Sequence, residues 1–411
     1  MNAALRALAI SALAPAALAA QTIAITGGTV YPVSGPRIPN GTVVMVDGRI
    51  TAVGANVPIP TGAARVDATG KWVTPGLIHS SAGAGLGVGG LNGFGEGRLQ
   101  GDINPSFNPA EALDPASFNI AVARTGGVTG GILLPGGSFF AGQAVAVNFA
   151  GDRIEEMIAK RNAGIVLDLS TNSKQAGGGS RAGTMATVRR LFADAQEYSR
   201  RRLDYQRAAM QPLSAPAREL EALLPALRGE VPVLIVANRR MDIENALRLK
   251  REFRLHVILY GAVEGWKVAR EIAAAGVPAV IEPNKDIPDF DGLGARLDNG
   301  ALLREGGVEV IIAQGDPGGE RNVRYAAGNA VRNGMNWDDA LRAITQVPAA
   351  HFGLADYGTL AMGKVANLVI WSGDPFDFSS SAEKVYVRGR ETSLQTRETE
   401  LRDKYRRVPP H

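Results

Sequence analysis

DIENALRLKREFRLHVILYGAVEGWKVAREIAAAGVPAVI, residues 242–281, switches repeatedly between two hydrophobic patterns. Its charged segments DIENALRLKREF and EGWKVAREIAAAG are typical of amphipathic helices, and its apolar runs LHVILYG and PAVI are typical of buried strands. The runs GIVLDLS and VPVLIVAN before it and VEVIIAQGD after it continue the alternation. Alternating strands and helices predict βα units around a parallel sheet. Because the alternation extends through residues 76–356, we predict a TIM-like (β/α)8 barrel, an α/β fold.

Strand-like segments also lie at both ends of the chain. The N-terminal segments TIAITGGTVYP, GTVVMVDGRITAVG and ARVDATGKWVTPG share their pattern with the C-terminal segments GKVANLVIWSGDPF and AEKVYVRGRETS. Short β-branched runs broken by Gly, Asp-Gly and Pro are typical of small antiparallel sheets. We therefore expect residues 21–75 and 357–396 to form one composite β-sandwich beside the barrel. The charged residues 397–411 are expected to form a peripheral tail.

Composition narrows the class of protein. The chain has 411 residues, of which 45% are hydrophobic and 20% charged, as is ordinary for a globular protein. Its formal net charge is +4, and the basic residues do not form a stripe along the sequence. We therefore expect no nucleic-acid partner. The chain has no cysteine, which excludes disulfides, thiolate nucleophiles and Cys-ligated metals.

The N-terminus has the pattern of a secretory signal. MNAALRALAISALAPAALAA, residues 1–20, carries one charge at Arg6, then an uncharged apolar run, then a small-x-small site. The run is too short for a membrane span and is interrupted by Pro15. We predict cleavage between Ala19 and Gln21, no membrane span, and a periplasmic or secreted location in a bacterium.

The two terminal segments also carry a family resemblance. TGGTVYPVSG and GTVVMVDGRITAVGANVPIPTGAARVDATGKWVTPGLI resemble the opening of imidazolonepropionase-like members of the amidohydrolase superfamily. NWDDALRAITQVPAAHFGLADYGTLAMGKVANLVIWSGDPF resembles their closing segment, and RTGGVTGGILLPGGSFFAGQAVAVNFAG their second-strand region. The resemblance implies a barrel whose strand tips hold one or two divalent metals. A metal-activated water would there attack an amide, lactam or ester bond.

The residues at the family's metal positions differ in this chain. The family frame Pro-Gly-Leu-Ile-Asp-x-His-x-His reads PGLIHSSAG here, residues 75–83, so that Ser81 and Gly83 occupy the two His positions. A serine hydroxyl is a poor zinc ligand, and glycine has no side chain. Asp316 occupies the position of the family's proton-accepting aspartate. The other positions assigned by the resemblance hold Leu234, Val236 or Asn238 on the fifth strand, Tyr260 or Gly261 on the sixth, and Val166 in place of a bridging lysine.

The chain has four histidines, His79, His256, His351 and His411. His256 opens a strand and is expected at the bottom of the barrel, His351 lies in a predicted helix, and His411 is the last residue. His79 and Asp316 can approach one inner site, but a catalytic zinc takes about three protein ligands. We therefore predict no bound catalytic metal and no other cofactor. A site made of carboxylates for a harder ion is the remaining metal alternative.

Other chemistries are less favoured. His79, Ser81 and Asp316 could form a Ser–His–Asp arrangement, but side chains two apart rarely reach the required geometry and no Gly-x-Ser-x-Gly elbow is present. Gly85, Gly87 and Gly90 match Gly-x-Gly-x-x-Gly, yet no helical pattern follows, so we expect a pocket-rim loop instead of a dinucleotide site. KQAGGGSRAG, residues 174–183, predicts a second rim loop. Asp316 could bind a cationic or amide-bearing ligand, or could cap its own turn.

These observations lead to one functional prediction and two alternatives. We predict a secreted or periplasmic amidohydrolase-fold protein without its metal centre, either catalytically silent or a partner subunit of a histidine-complete paralogue. The first alternative is a hydrolase of carbon–nitrogen bonds with an atypical site around His79, Tyr260 and Asp316. The second is a protein that binds a small molecule at the barrel mouth.

Overall fold

The computed structural model describes residues 21–83, 86, 101–137, 139–284, 290–315 and 319–406. The predicted signal, residues 1–20, and the predicted catalytic Asp316 lie outside these residues. In the described part of the chain, no helix combines the length and the apolar character of a membrane span.

The strands of the described residues fall into two sheets. The first sheet is formed by β1 Thr22–Val30, β2 Ile38–Val46, β3 Arg49–Gly54, β4 Ala64–Asp67, β5 Trp72–Pro75, β14 Leu368–Trp371, β15 Ala382–Val387 and β16 Arg390–Thr392. The second is formed by β6 Leu77–Ala82, β7 Val128–Leu133, β8 Phe140–Asn148, β9 Ile158–Asp168, β10 Val233–Ala237, β11 Val257–Gly261, β12 Ala279–Ile281 and β13 Val310–Ile312.

The helices lie mostly between the strands of the second sheet. They are α1 Phe118–Thr125, α2 Ile154–Met157, α3 Arg181–Arg200, α4 Arg202–Gln206, α5 Ala217–Leu227, α6 Arg240–Phe253, α7 Ala269–Ala274, α8 Asn299–Glu305, α9 Val323–Arg332, α10 Trp337–Ala343, α11 Gln346–His351 and α12 Arg397–Tyr405. Short 3-10 helices cover Pro109–Ala112, Thr171–Gly177, Gly265–Lys267 and Glu320–Asn322. The predicted charged tail contains α12, which has no buried residue.

The second sheet is a nearly closed barrel of eight strands in the order β6 to β13. Every strand contributes at least one apolar side chain to its interior, among them Ile78, Ile132, Ala144, Val166, Leu234, Ile258, Val280 and Ile311. The prediction of an α/β barrel of eight strands is therefore confirmed. Val166 and Leu234, which stand where the resemblance would place metal ligands, belong to this apolar interior.

One strand breaks the predicted βα repeat. β8 runs antiparallel to both β7 and β9, whereas β9 to β13 are parallel to one another. Residues 134–139, which join β7 to β8, are too few for a helical crossover, and antiparallel neighbours need only a short link. The prediction of βα units around a parallel sheet is therefore wrong at β8.

The first sheet joins the two ends of the chain. β5 pairs antiparallel with β14, with Thr74 opposite Val369, and β1 lies beside β5. Its apolar core combines Ile25 and Met45 from the N-terminal strands with Leu368 and others from the C-terminal strands. The terminal segments thus form one composite sheet, and the two-layer packing of a sandwich stays a prediction.

Candidate functional site

The carboxyl ends of β9 to β12 surround a cavity of about 320 Å3. This volume lies at the low end of the roughly 300–1,000 Å3 of small-molecule pockets. Tyr260, Glu282 and Asn238 line it together with apolar residues and Phe290. Because active sites of barrel folds lie at this end of the strands, the cavity is the candidate site.

Tyr260 and Glu282 form a hydrogen-bonded pair in the cavity wall. The Tyr260 hydroxyl donates to Glu282 Oε1 over 2.7 Å. Burial of the phenol, and then the nearby Glu282 carboxylate, raise the pKa of Tyr260 well above its ordinary value. Tyr260 is therefore a permanent hydrogen-bond donor and a poor candidate for a base.

His79 lies on β6 and is 1% exposed. The backbone N–H of Ser81 approaches its Nδ1 at 3.2 Å, and the backbone N–H of Gln314 approaches its Nε2 at 3.3 Å. A neutral imidazole has one acceptor nitrogen and the protonated ring has none, so one of these contacts at a time is a hydrogen bond. Burial lowers the pKa of His79 despite the opposing charges of Glu320 and Glu282. His79 is thus a neutral, buried ring that lies between two main-chain N–H groups and accepts a hydrogen bond from one of them.

Glu320 approaches the same strand tip from the loop after β13. The Gly83 backbone N–H donates to Glu320 Oε1 over 2.8 Å, and Glu320 is 2% exposed. Gly126 packs against this turn so closely that a Cβ there would lie 2.3 Å from the carbonyl oxygen of Arg321. Glycine at position 126 therefore lets the turn that carries Glu320 approach β6.

A buried ionic cluster holds the loops at one side of the mouth together. Arg181 Nε lies 2.9 Å from Asp242 Oδ1, and Arg181 Nη2 lies 2.8 Å from Asp291 Oδ1. Asp291 also accepts the Thr171 backbone N–H over 2.8 Å. Asp168 is buried close by, and desolvation, then the charges of Asp291 and Asp242, raise its pKa. The cluster ties the starts of α3 and α6 to the segment after β12.

Two of the predicted site residues meet at the mouth. His79 and Tyr260 come together at one end of the barrel, since each interacts with Glu282. Asp316 and the glycines Gly85, Gly87 and Gly90 lie outside the described residues. Ser81 meets His79 through its backbone N–H, and the described contacts include no bond from its hydroxyl to the ring. A Ser–His–Asp arrangement therefore lacks its first link.

The other described histidines lie at the opposite end of the barrel. His256 immediately precedes β11, as the sequence predicts, and its ring centroid is 6.4 Å from that of His351. His351 Nε2 lies 2.8 Å from Glu309 Oε2, just before β13. His256 and Glu309 each directly precede a strand, and His351 contacts Glu309 from the end of α11, so this group is remote from the mouth.

Sequence reasoning missed three acidic residues at the mouth, Glu282, Asp168 and Glu320. For two of them, the side-chain alternation of the strands could have predicted the position. Side chains alternate along a strand, so Glu282 and Asp168, each two residues after the inward-facing Val280 and Val166, continue the inner face. Glu320 had no local signal, because its place depends on contacts with loops distant in sequence.

Comparison with known proteins agrees with this architecture. The Amidohydrolase family model matches residues 267–392. The amidohydrolase tasK of Hapsidospora irregularis is 25% identical over 387 residues, which are 85% of this chain and 39% of tasK, so the chain spans well under half of that relative. The imidazolonepropionase of Myxococcus xanthus is 26% identical over 375 residues, covering 82% of this chain and 85% of the enzyme.

A solved structure extends the match to three dimensions. The crystal structure of an amidohydrolase from Thermotoga maritima superposes with a TM-score of 0.83 at 27% identity, covering 90% of this chain and 99% of that one. The chain belongs to the amidohydrolase superfamily. Within it, the chain resembles the imidazolonepropionase-like members.

The resemblance to these amidohydrolases implies a divalent metal at the mouth, and the described residues do not fit one. Both ring nitrogens of His79 face backbone N–H groups, so no lone pair is turned toward the cavity. Ser81 and Gly83 supply no strong ligand. Among the residues that the structure describes, no three His, Cys, Asp or Glu side chains cluster closely enough to hold a metal ion. A catalytic zinc takes three protein ligands, which this donor set lacks.

The state of His79 leads to a pH prediction. We expect the free-energy difference in unfolding between wild type and His79→Gln to shrink as the pH falls from 7 to 5. Burial lowers the pKa of folded His79, whereas the unfolded chain takes up a proton near about pH 6.5. The stability that depends on the neutral ring is thus lost as the pH falls below about 6.5, by at most about 1.4 kcal/mol per pH unit. Urea unfolding at pH 7, 6 and 5 measures this, and a pH-independent difference would contradict a buried neutral ring.

Proposed function

We propose that this amidohydrolase-superfamily protein is silent in metal-dependent hydrolysis and binds a small molecule at the barrel mouth. The observation that carries the proposal is the position of His79 between two main-chain N–H groups. That arrangement uses the ring as a structural element, whereas metal chemistry would need its lone pair directed at the cavity. The cavity, with a carboxylate, a phenol and an amide on an apolar lining, has the usual make-up of a ligand site.

The alternative function is hydrolysis of a carbon–nitrogen bond by an atypical site around His79, Tyr260 and Asp316. Such a site needs a group that accepts a proton from the attacking water. The raised pKa of Tyr260 and the burial of His79 make both poor proton acceptors. The described residues therefore favour binding over hydrolysis.

Metal content and turnover test the proposal together. We expect protein expressed in medium supplemented with zinc, manganese and iron to retain well under one equivalent of metal after dialysis. We also expect no hydrolysis of lactam, dipeptide or N-acyl amino acid substrates, with the Myxococcus xanthus imidazolonepropionase and its own substrate as the control. An equimolar metal, or a turnover that Asp316→Asn abolishes, would overturn the proposal.

An exposed apolar surface near the mouth bears on the protein's partner, which we propose together with its location. Three large apolar side chains close to the mouth, Phe290, Leu293 and Leu297, are 56%, 73% and 46% exposed, and such surface favours contact with another protein. We propose that the chain is exported to the periplasm or secreted, and that a histidine-complete paralogue covers this apolar surface. Co-purification of the two from the periplasmic fraction tests both points, and a chain found alone in the cytoplasm contradicts them.

A further inference from the structure

We infer that the molecule bound at the barrel mouth is a small organic cation, an ammonium or amidinium ion, with Glu282 as its counter-ion and Asn238 as a second hydrogen-bond partner. This inference rests on the proposed function, since it names the class of ligand that the cavity binds. Three features carry it: an uncompensated carboxylate, an unsatisfied amide, and the size and apolar lining of the cavity.

Glu282 supplies the uncompensated charge. Its described polar contact is the hydrogen bond that Oε1 accepts from Tyr260, and no cation pairs with it among the described residues. The other charged residues that line the cavity already have partners, because Arg181 pairs with Asp291 and Asp298 pairs with Arg296. A half-buried carboxylate without a cation is unfavourable, so an incoming ammonium group gains a charge-assisted hydrogen bond there.

Asn238 supplies the second partner. It directly follows β10 and lines the cavity beside Gly261. Its Oδ1 atom is buried and has no hydrogen-bond partner in the described structure. Buried polar atoms are nearly always paired in proteins, and an N–H group of a ligand would pair this one. An ammonium or amidinium ion has several N–H donors and can reach two acceptors at once.

The remaining lining suits the hydrocarbon part of such a ligand. Val236, Ile281 and Pro283 provide apolar walls, and Phe290 stands at the rim. The cavity of about 320 Å3 accommodates a small ligand. Arg296 also lines the cavity, but its guanidinium pairs with Asp298. Lys174 and Arg239 hold their charges over the Phe290 ring and are not part of the lining.

A matched pair of probes tests the inference. Titration calorimetry with 2-phenylethylamine and with the neutral 2-phenylethanol would compare wild type with Glu282→Gln and Asn238→Leu. The control is Glu305→Gln, which removes the same charge from an exposed position outside the cavity. We expect wild type to prefer the amine over the alcohol by about tenfold or more, the value of one charge-assisted hydrogen bond. Glu282→Gln should abolish the preference, Asn238→Leu should weaken it, and Glu305→Gln should leave it unchanged.

The outcomes separate this inference from the proposed function. Equal binding of the two probes, a preference that survives Glu282→Gln, or no saturable binding of the amine at millimolar concentration would overturn the organic-cation ligand. Metal content is measured on the same samples, and an equimolar metal would instead overturn the proposed function. If Glu282→Gln fails to fold, Asn238→Leu decides the question: a weakened preference with alcohol binding intact supports the inference, and an unchanged preference contradicts it.

Discussion

The double substitution S81H/G83H is expected to give the barrel mouth a zinc-binding ability that the parent chain lacks. The two substitutions place imidazoles at the His positions of the family frame. The backbone has room, since the nearest described atom to a Cβ built at Gly83 is Glu320 Oε1, at 3.8 Å. That carboxylate already contacts the Gly83 backbone N–H and would become the third ligand. Two imidazoles and one carboxylate are a donor set that zinc accepts.

Zinc retained after dialysis measures this gain. We expect about one equivalent in S81H/G83H, the stoichiometry of a site with three protein ligands, and little in the parent or in S81A/G83A, which changes the same positions without adding a ligand. Circular dichroism and thermal unfolding would show whether the variant keeps the parent fold. A folded S81H/G83H that retains no zinc would show that the mouth departs from a metal site in more than its missing histidines.

The second large effect is expected from Arg324→Met, which should lower the free energy of unfolding by about 3–5 kcal/mol. Arg324 belongs to α9 beside the barrel, and it is 6% exposed. Its guanidinium donates to the carbonyl oxygens of Pro375 and Ser380 over 2.8 and 3.0 Å, and so fastens the loop that follows β14 to the barrel. Methionine has a similar length but no donor, so buried carbonyl groups would lose their partners.

A nearby arginine provides the control. Arg321 is 45% exposed and lies 3.7 Å from Glu398, so Arg321→Met should change stability by no more than about 1 kcal/mol. Urea unfolding of both variants measures the difference, and Arg324→Lys should fall between wild type and Arg324→Met because it keeps one donor. Equal effects of the two methionine substitutions would mean that the buried guanidinium does not fasten the loop.

The sequence predicts the barrel well because the hydrophobic patterns of its helices and strands are local and are repeated along the chain. Residues 242–281 contain both patterns, the 3.6-residue period of amphipathic helices and the short continuous apolar runs of buried strands, within one stretch. The same approach fails at β8, where the apolar run AGQAVAVN has a strand pattern that does not reveal its direction. Strand direction depends on the length of the link and on the neighbouring strands, and so it is decided by tertiary packing.

At the candidate site, too, some features can be predicted from the sequence and others depend on tertiary packing. The absence of histidine at Ser81 and Gly83 can be read directly, and alternation along β12 could have pointed to Glu282. The position of the His79 ring between two backbone N–H groups could not be predicted from the sequence. One of these N–H groups belongs to Gln314, which follows the last strand of the barrel. Such contacts across the closure of the barrel leave no local pattern in the sequence.

By itself, then, the sequence determined the strand–helix alternation, the pairing of both chain ends beside a barrel, and the loss of the usual imidazoles. These properties follow from side-chain periodicity and residue identity, which are local. The tertiary structure alone decided that His79 is a neutral buried ring, that Glu282 lies without a cation in a small cavity, and that Glu320 meets the first barrel strand. Burial, charge balance and hydrogen-bond partners depend on groups brought together by folding, and the chemistry of the mouth depends on all three.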